Sequence, residues 1–88
     1  MEEENIMSDR MFLEEIRATD GILKFLRRKR GGSPERNILR HLNEREGVSY
    51  YAGTSGLHFL SRKKFINKKG KKYYLSSQTK KLLIKKKP

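Results

Sequence analysis

Twenty lysines and arginines stand against three acids in residues 21–88, a net charge of +17 over 68 residues. Any fold this chain adopts must keep those charges at its surface, because unpaired cations are almost never buried. Self-repulsion on that scale also works against a compact state. The first twenty residues have the opposite sign. Seven acids (Glu2, Glu3, Glu4, Asp9, Glu14, Glu15, Asp20) and two bases (Arg10, Arg17) leave a net of −5. From Ser61 to Pro88 there are twelve bases and no acid. A heat-adapted surface would raise glutamate along with lysine, and this one does not. The pattern points to a polyanionic partner, and nucleic acid is the commonest. A membrane surface fits less well, since no basic amphipathic segment has a bulky apolar face to insert.

The chain is 88 residues long, which makes one small domain. Hydrophobic residues are 34% of it. That supports a core of about a dozen side chains and leaves no room for a deep catalytic cleft. There is no cysteine, so a disulfide framework, a thiolate nucleophile and a sulfur-bound zinc are all excluded. His41 and His58 are the only histidines and have no carboxylate at ligand spacing, so no metal is expected. Gly53-Thr54-Ser55-Gly56 lacks the lysine and the upstream strand of a phosphate-binding loop. No serine sits in a nucleophile elbow. The expectation is a non-enzyme with no cofactor and no evident small-molecule ligand. No apolar run approaches the ~18 residues of a membrane span. The start, Met1-Glu2-Glu3-Glu4, carries the wrong charge for a signal peptide. A cytoplasmic, nucleoid-associated protein is expected, or one in the host cytoplasm if the source is viral.

Capping residues and glycines divide the chain into elements. Ser8-Asp9 offers a cap, with Met11, Phe12 and Ile16 following at helical spacing. Asp20 offers a second cap, followed by Ile22, Leu23, Phe25 and Leu26. Gly31-Gly32 stops that helix and leaves almost no room for a strand before the next one. Ser33-Pro34-Glu35 reads as a serine cap, a proline at the first helical position and an acid in the first turn. Ile38, Leu39 and Leu42 form that helix's stripe, and Gly47 ends it. Ser49 can cap the next segment, which carries Leu57 and Leu60. Gly53 and Gly56 within it leave a later start, at Thr54 or Ser55, equally open. Asn67-Lys68-Lys69-Gly70 suits the turn of a hairpin. Ser76 or Ser77 then caps a last helix with Leu82, Leu83 and Ile84. The expected order is four helices, a short hairpin and a fifth helix, an α+β chain that is mostly α. Residues 1–19 form an acidic segment and helix, 20–84 the domain proper, and 85–88 a basic tail.

Three helices followed by a lysine-rich hairpin suggest a winged helix-turn-helix, and particular residues sharpen the resemblance. Ser49 to Ile66 resembles the recognition-helix region of that superfamily. A capping serine precedes Leu57 and Leu60, three apart, and the apolar pair Phe65-Ile66 opens the wing. Tyr73-Tyr74-Leu75-Ser76, followed by Lys80-Lys81-Leu82-Leu83, is similar to the segment that closes the wing and enters the last helix. The nearest families are PadR-like regulators and small archaeal or archaeal-virus transcriptional regulators. The resemblance covers about residues 20–84. Lys64 stands where these families usually have glycine. The resemblance implies a three-helix core, a hairpin wing and additional terminal helices. It also implies a double-stranded-DNA-binding transcriptional regulator acting by site occupancy. The alternative is a winged-helix protein-interaction module or an RNA-binding accessory protein. Recognition of single-stranded RNA would favour an aromatic sheet surface, which only Tyr73 and Tyr74 could offer.

With Leu57 and Leu60 facing the core, the other face of their helix shows Tyr50, Tyr51, Thr54, Ser55, His58 and Arg62. Hydroxyls and an imidazole suit base edges and phosphates, and a helix fits the major groove. The competing reading packs the tyrosines into the core and leaves His58 merely solvated. Lys68, Lys69, Lys71 and Lys72 surround one glycine at the hairpin tip and suit phosphate or minor-groove contact. Arg27, Arg28, Lys29 and Arg30 are a further cluster with two readings: contacts to the DNA backbone, or cations that a helix C-terminus alone would favour through its dipole. Met11, Phe12, Leu13 and Ile16, with Leu82, Leu83 and Ile84, lie outside the three-helix core, so a homodimer formed by the terminal helices is expected.

Overall fold

A computed structural model describes the backbone of residues 2–84 and the side chains of residues 13–82. The expected basic tail, and the side chains of Met11, Phe12, Leu83 and Ile84, lie outside the described residues. The elements in chain order are α1 (Glu2–Arg28), β1 (Ser33–Pro34), α2 (Glu35–Glu46), α3 (Tyr50–Arg62), β2 (Ile66–Lys69), β3 (Lys72–Leu75) and α4 (Ser77–Ile84). The fold is α+β and mostly helical, with a small antiparallel sheet in the order β1–β3–β2. No helix of the described residues is long and apolar enough to cross a membrane.

The first departure from expectation is α1, which is one helix where two are expected. Asp20 does not cap a new helix. Its carboxylate pairs with the Lys24 ammonium one turn on, at 3.0 Å. Gly21 does not break the helix either. It is buried where α2 approaches, and a Cβ there would lie 2.5 Å from Leu42 Cδ2. The glycine costs helix propensity but permits the close approach of two helices.

The second departure is β1. Gly31-Gly32 does leave room for a strand, because the strand is only two residues long. Gly32 turns the chain at φ +79°, its N–H donating to the Lys29 carbonyl at 2.9 Å. The Tyr74 ring lies against it, 2.6 Å from where a Cβ would be. Ser33 then pairs with Tyr73 and Pro34 with Lys72. Pro34 sits on an edge strand, where its missing N–H is tolerated. Ser33 is therefore extended and buried, and it does not cap α2. Pro34 stands just before the helix, with ψ 155°, and Glu35 is its first residue.

Other signals hold. Gly47 ends α2 in the left-handed region at φ +67°. Ser49 caps α3, its Oγ accepting from the Ala52 N–H at 3.1 Å, so the later start is excluded. Ser76 Oγ accepts from the Thr79 N–H at 3.2 Å and caps α4. The hairpin turn is shifted from its expected place. Ile66 pairs with Leu75, both buried, and this register puts Lys69 opposite Lys72. Only Gly70 and Lys71 remain for the loop. Gly70, at φ +63°, takes the first loop position, where a two-residue hairpin needs a positive φ.

One core joins these elements. Ala18, Ile22, Phe25 and Leu26 of α1 meet Ile38 and Leu42 of α2 and Ala52, Leu57 and Leu60 of α3. Val48, Ile66, Tyr73 and Leu75 complete it.

At the end of α3, Lys64 stands in the place of a glycine, and its φ is +64°. The Lys64 N–H donates to the Ser61 carbonyl at 3.0 Å, and the Phe65 N–H to the Leu60 carbonyl at 2.9 Å. This pair of bonds is a Schellman motif, which demands a left-handed residue. A lysine there costs roughly 1–2 kcal/mol in backbone conformation. Glycine removes that cost but gains unfolded-state entropy. Lys64→Gly is therefore expected to raise stability by roughly 0.5–1 kcal/mol in urea unfolding. A loss of stability would show that the Lys64 side chain, not the backbone, governs this position.

Candidate nucleic-acid interface

Helix α3 has two distinct faces. Ala52, Gly53, Gly56, Leu57 and Leu60 are buried. The two glycines set how closely α3 packs. A Cβ at Gly56 would lie 3.1 Å from Ile22 Cδ1 and 3.2 Å from Ala18 Cβ on α1. One at Gly53 would lie 2.6 Å from Leu39 Cδ2 on α2. Both neighbouring helices thus approach the α3 backbone from the same side, which leaves the other side free.

The six residues expected on the free face are all there. Tyr50 and Tyr51 are 54% and 77% exposed, so neither packs in the core. Thr54, His58 and Arg62 are exposed and Ser55 is half-buried. Thr54 Oγ1 donates to the Tyr50 carbonyl at 2.9 Å, which commits its proton within the helix and leaves its oxygen as an acceptor. Tyr51, Thr54, Ser55, His58 and Arg62 line one shallow depression, together with Phe59 and with Glu15 of α1.

Sequence reading missed four residues at this surface. Phe59 is 42% exposed on α3, and the Lys63 ammonium lies 5.9 Å from its ring centroid. Glu15 comes from α1 and brings a carboxylate to the depression. Arg36 and Arg40, one turn apart on α2, line a second depression with Leu39 and Tyr50. The periodicity of α2 puts these arginines on one face, but only the docking of Leu39 against Gly53 brings them beside α3. Glu14 also lies near the start of α3, where its carboxylate accepts a hydrogen bond from Ser49 Oγ at 3.4 Å. A negative charge there favours the helix dipole.

The hairpin exposes Lys68, Lys69, Lys71 and Lys72. They are not equivalent. Lys68 stands opposite Tyr73, and its ammonium lies 5.6 Å from the Tyr73 ring centroid, a cation–π arrangement. Lys69 and Lys72 face each other directly across the strands, and like charges so placed destabilise the hairpin. Lys71 occupies the loop. Tyr73 is buried, and burial pushes its phenol up, with the nearby Glu35 carboxylate adding to the effect. Tyr74 is half-buried against Gly32. The sheet therefore presents no open aromatic platform.

Among the described residues the one ion pair is Lys24 with Asp20. No side-chain carboxylate there neutralises Arg36, Arg40, Arg62 or the four hairpin lysines. Among the described residues no three His, Asp or Glu side chains come together as metal ligands. Arg27, Arg28, Lys29 and Arg30 are exposed at the end of α1, with Arg27 and Arg28 in its last turn. Compared with protein-family models, curated proteins and solved structures, the chain matches none.

Proposed function

We propose that this chain is a winged helix-turn-helix protein that binds double-stranded DNA and regulates transcription by occupying its site. One observation carries the reading: α3 keeps an exposed face of hydroxyls, imidazole and guanidinium, flanked by Arg36 and Arg40 of α2, which pair with no carboxylate among the described residues. The strand β1, between the first two helices and paired beside the hairpin, adds support, because such a strand is often found in that superfamily.

In this reading α3 enters the major groove. Ser55, His58 and Arg62 reach base edges, while Tyr50, Arg36 and Arg40 hold phosphates. Lys69, Lys71 and Lys72 meet the backbone or the minor groove as the wing. An anion between Lys69 and Lys72 would relieve their mutual repulsion. Burial of Tyr73 weakens the RNA-binding alternative, since a stacking surface for unpaired bases is lost.

The test is a mobility shift with random duplex DNA, duplex RNA and single strands at two salt concentrations, followed by selection from a random duplex library. Preference for duplex DNA and recovery of a motif are expected. Ser55→Ala and His58→Ala should each change the selected sequence, with a loss of about 1–3 kcal/mol of discrimination at one position. Recovery of the parent motif at parent strength from both variants would remove α3 from the groove.

The proposal includes a homodimer formed by the terminal helices. Leu13 and Ile16 on α1 and Leu82 on α4 are 58%, 44% and 59% exposed. Two-fold symmetry would set two α3 helices about 34 Å apart, one turn of duplex. Sedimentation equilibrium decides it: twice the 10.4 kDa chain mass is expected, and a monomer mass rejects the dimer.

A further inference from the structure

A second cationic surface lies on the other side of α2. Phe25 of α1 and His41 of α2 pack ring to ring, with centroids 4.5 Å apart. The Lys29 ammonium lies 5.6 Å from the Phe25 centroid. His41 is held below its ordinary value first by burial and then by Arg28. Glu46 opposes this, and Arg45 and Lys29 add to it. Arg28, Lys29 and Arg45, all exposed, thus surround the stacked Phe25–His41 pair.

The two helices run in opposite directions here, with Arg17 bonded to the Glu46 carbonyl and Phe25 beside His41. Arg28 and Arg45 therefore lie on either side of His41 along the α1–α2 seam. Each sits near the C-terminus of its own helix, where the dipole favours a cation. The dipole favours each cation singly, yet it does not account for their gathering at one seam, where among the described residues no carboxylate forms an ion pair with Arg28, Lys29 or Arg45. At 100° per residue, His41 and Arg45 stand about 140° around α2 from Arg36 and Arg40. His41 and Arg45 therefore lie on a different face of α2 from the arginines beside α3.

We infer that the seam of Arg28, Lys29 and Arg45 around His41 is a second phosphate-binding surface that takes a separate segment of duplex DNA, so that one protein molecule bridges two duplexes. The inference rests on the DNA-binding reading above. Charge arithmetic favours nucleic acid over another copy of this chain. The acidic first twenty residues supply a net of −5 against +17 elsewhere, so copies pairing with one another leave most of the charge unanswered.

The chain's two histidines report the two surfaces separately, His58 on α3 and His41 at the seam. In an NMR titration with a short duplex, the first equivalent should move the His58 ring signals and later equivalents those of His41. Signals of His41 that never move, or that move together with His58 at the first equivalent, overturn the inference.

A capture assay gives the second reading. Protein is added to bead-bound duplex, and retention of a free labelled duplex is measured. The variant Arg28→Gln, Lys29→Gln, Arg45→Gln should lose capture by about tenfold or more while shifting a single duplex nearly as the parent does. Undiminished capture overturns the inference and traces bridging to dimers. Equal loss of capture and single-duplex binding also overturns it, by placing the seam in the primary interface. If the unaltered protein shifts no duplex at all, the DNA-binding reading itself fails, and this arm of the assay identifies that failure.

Discussion

Affinity for duplex DNA is expected to fall about a thousandfold between 50 and 200 mM salt. The figure follows from five or six phosphate contacts, each releasing about 0.9 of a counterion, for a slope near −5 in log K against log salt. The cations available for such contacts are Arg36 and Arg40 beside Tyr50, Arg62 at the end of α3, and the exposed hairpin lysines. Changing Lys68, Lys69, Lys71 and Lys72 together to alanine should weaken binding to all sequences alike and flatten the slope. The contribution of Lys68 should be the smallest, because its ammonium already lies over the Tyr73 ring. Removing the facing pair, Lys69 and Lys72, should leave the free protein no less stable, since their repulsion goes with them. A flat salt dependence rejects the electrostatic reading. A steep one that survives the fourfold change shows that the hairpin is not a wing.

Leu60→Ala and Leu57→Ala should each destabilise the fold by roughly 2–5 kcal/mol. Both side chains are 2% exposed and belong to the core shared by α1, α2 and α3. The core has few residues, so neighbours cannot easily close the cavity. A domain of this size holds only about 5–15 kcal/mol in total, and often the lower end. Leu60 should be the more sensitive, because its carbonyl also accepts the Phe65 N–H that closes the Schellman turn into β2. Loss of its packing loosens the junction between α3 and the hairpin. Urea unfolding followed by circular dichroism measures both. A neutral result at either position means that α3 is rotated from the orientation described.

Much of this arrangement was legible in the sequence, and what was not has physical causes. Ser49, Gly47 and Ser76 mark their helix ends because capping is a local bond, settled within three or four residues. The free face of α3 is legible because Leu57 and Leu60 fix its rotation. Asp20-Gly21 misleads because an exposed ion pair and the approach of Leu42 decide its role, and the second of these is tertiary. Gly53 and Gly56 mislead for the same reason: in sequence they weaken a helix, and in the fold they admit two others. β1 cannot be seen locally, since a two-residue strand has no period and its partners lie nearly forty residues later. Glu15, Arg36 and Arg40 reach the α3 face from other helices, and no spacing within one segment predicts that.

The strand order has a consequence for how the protein is made. β3 is the last strand in the chain and the middle one in the sheet, so both ladders run through it. A nascent chain that has emerged only as far as Gly70 holds α1, α2 and α3 but not one paired strand. Ser33 and Pro34 wait for partners until residues 72 and 73 appear, and Ile66 waits for Leu75. An interrupted translation product therefore lacks the sheet altogether, not merely its edge. The lysine hairpin takes shape only in a chain synthesised through Leu75.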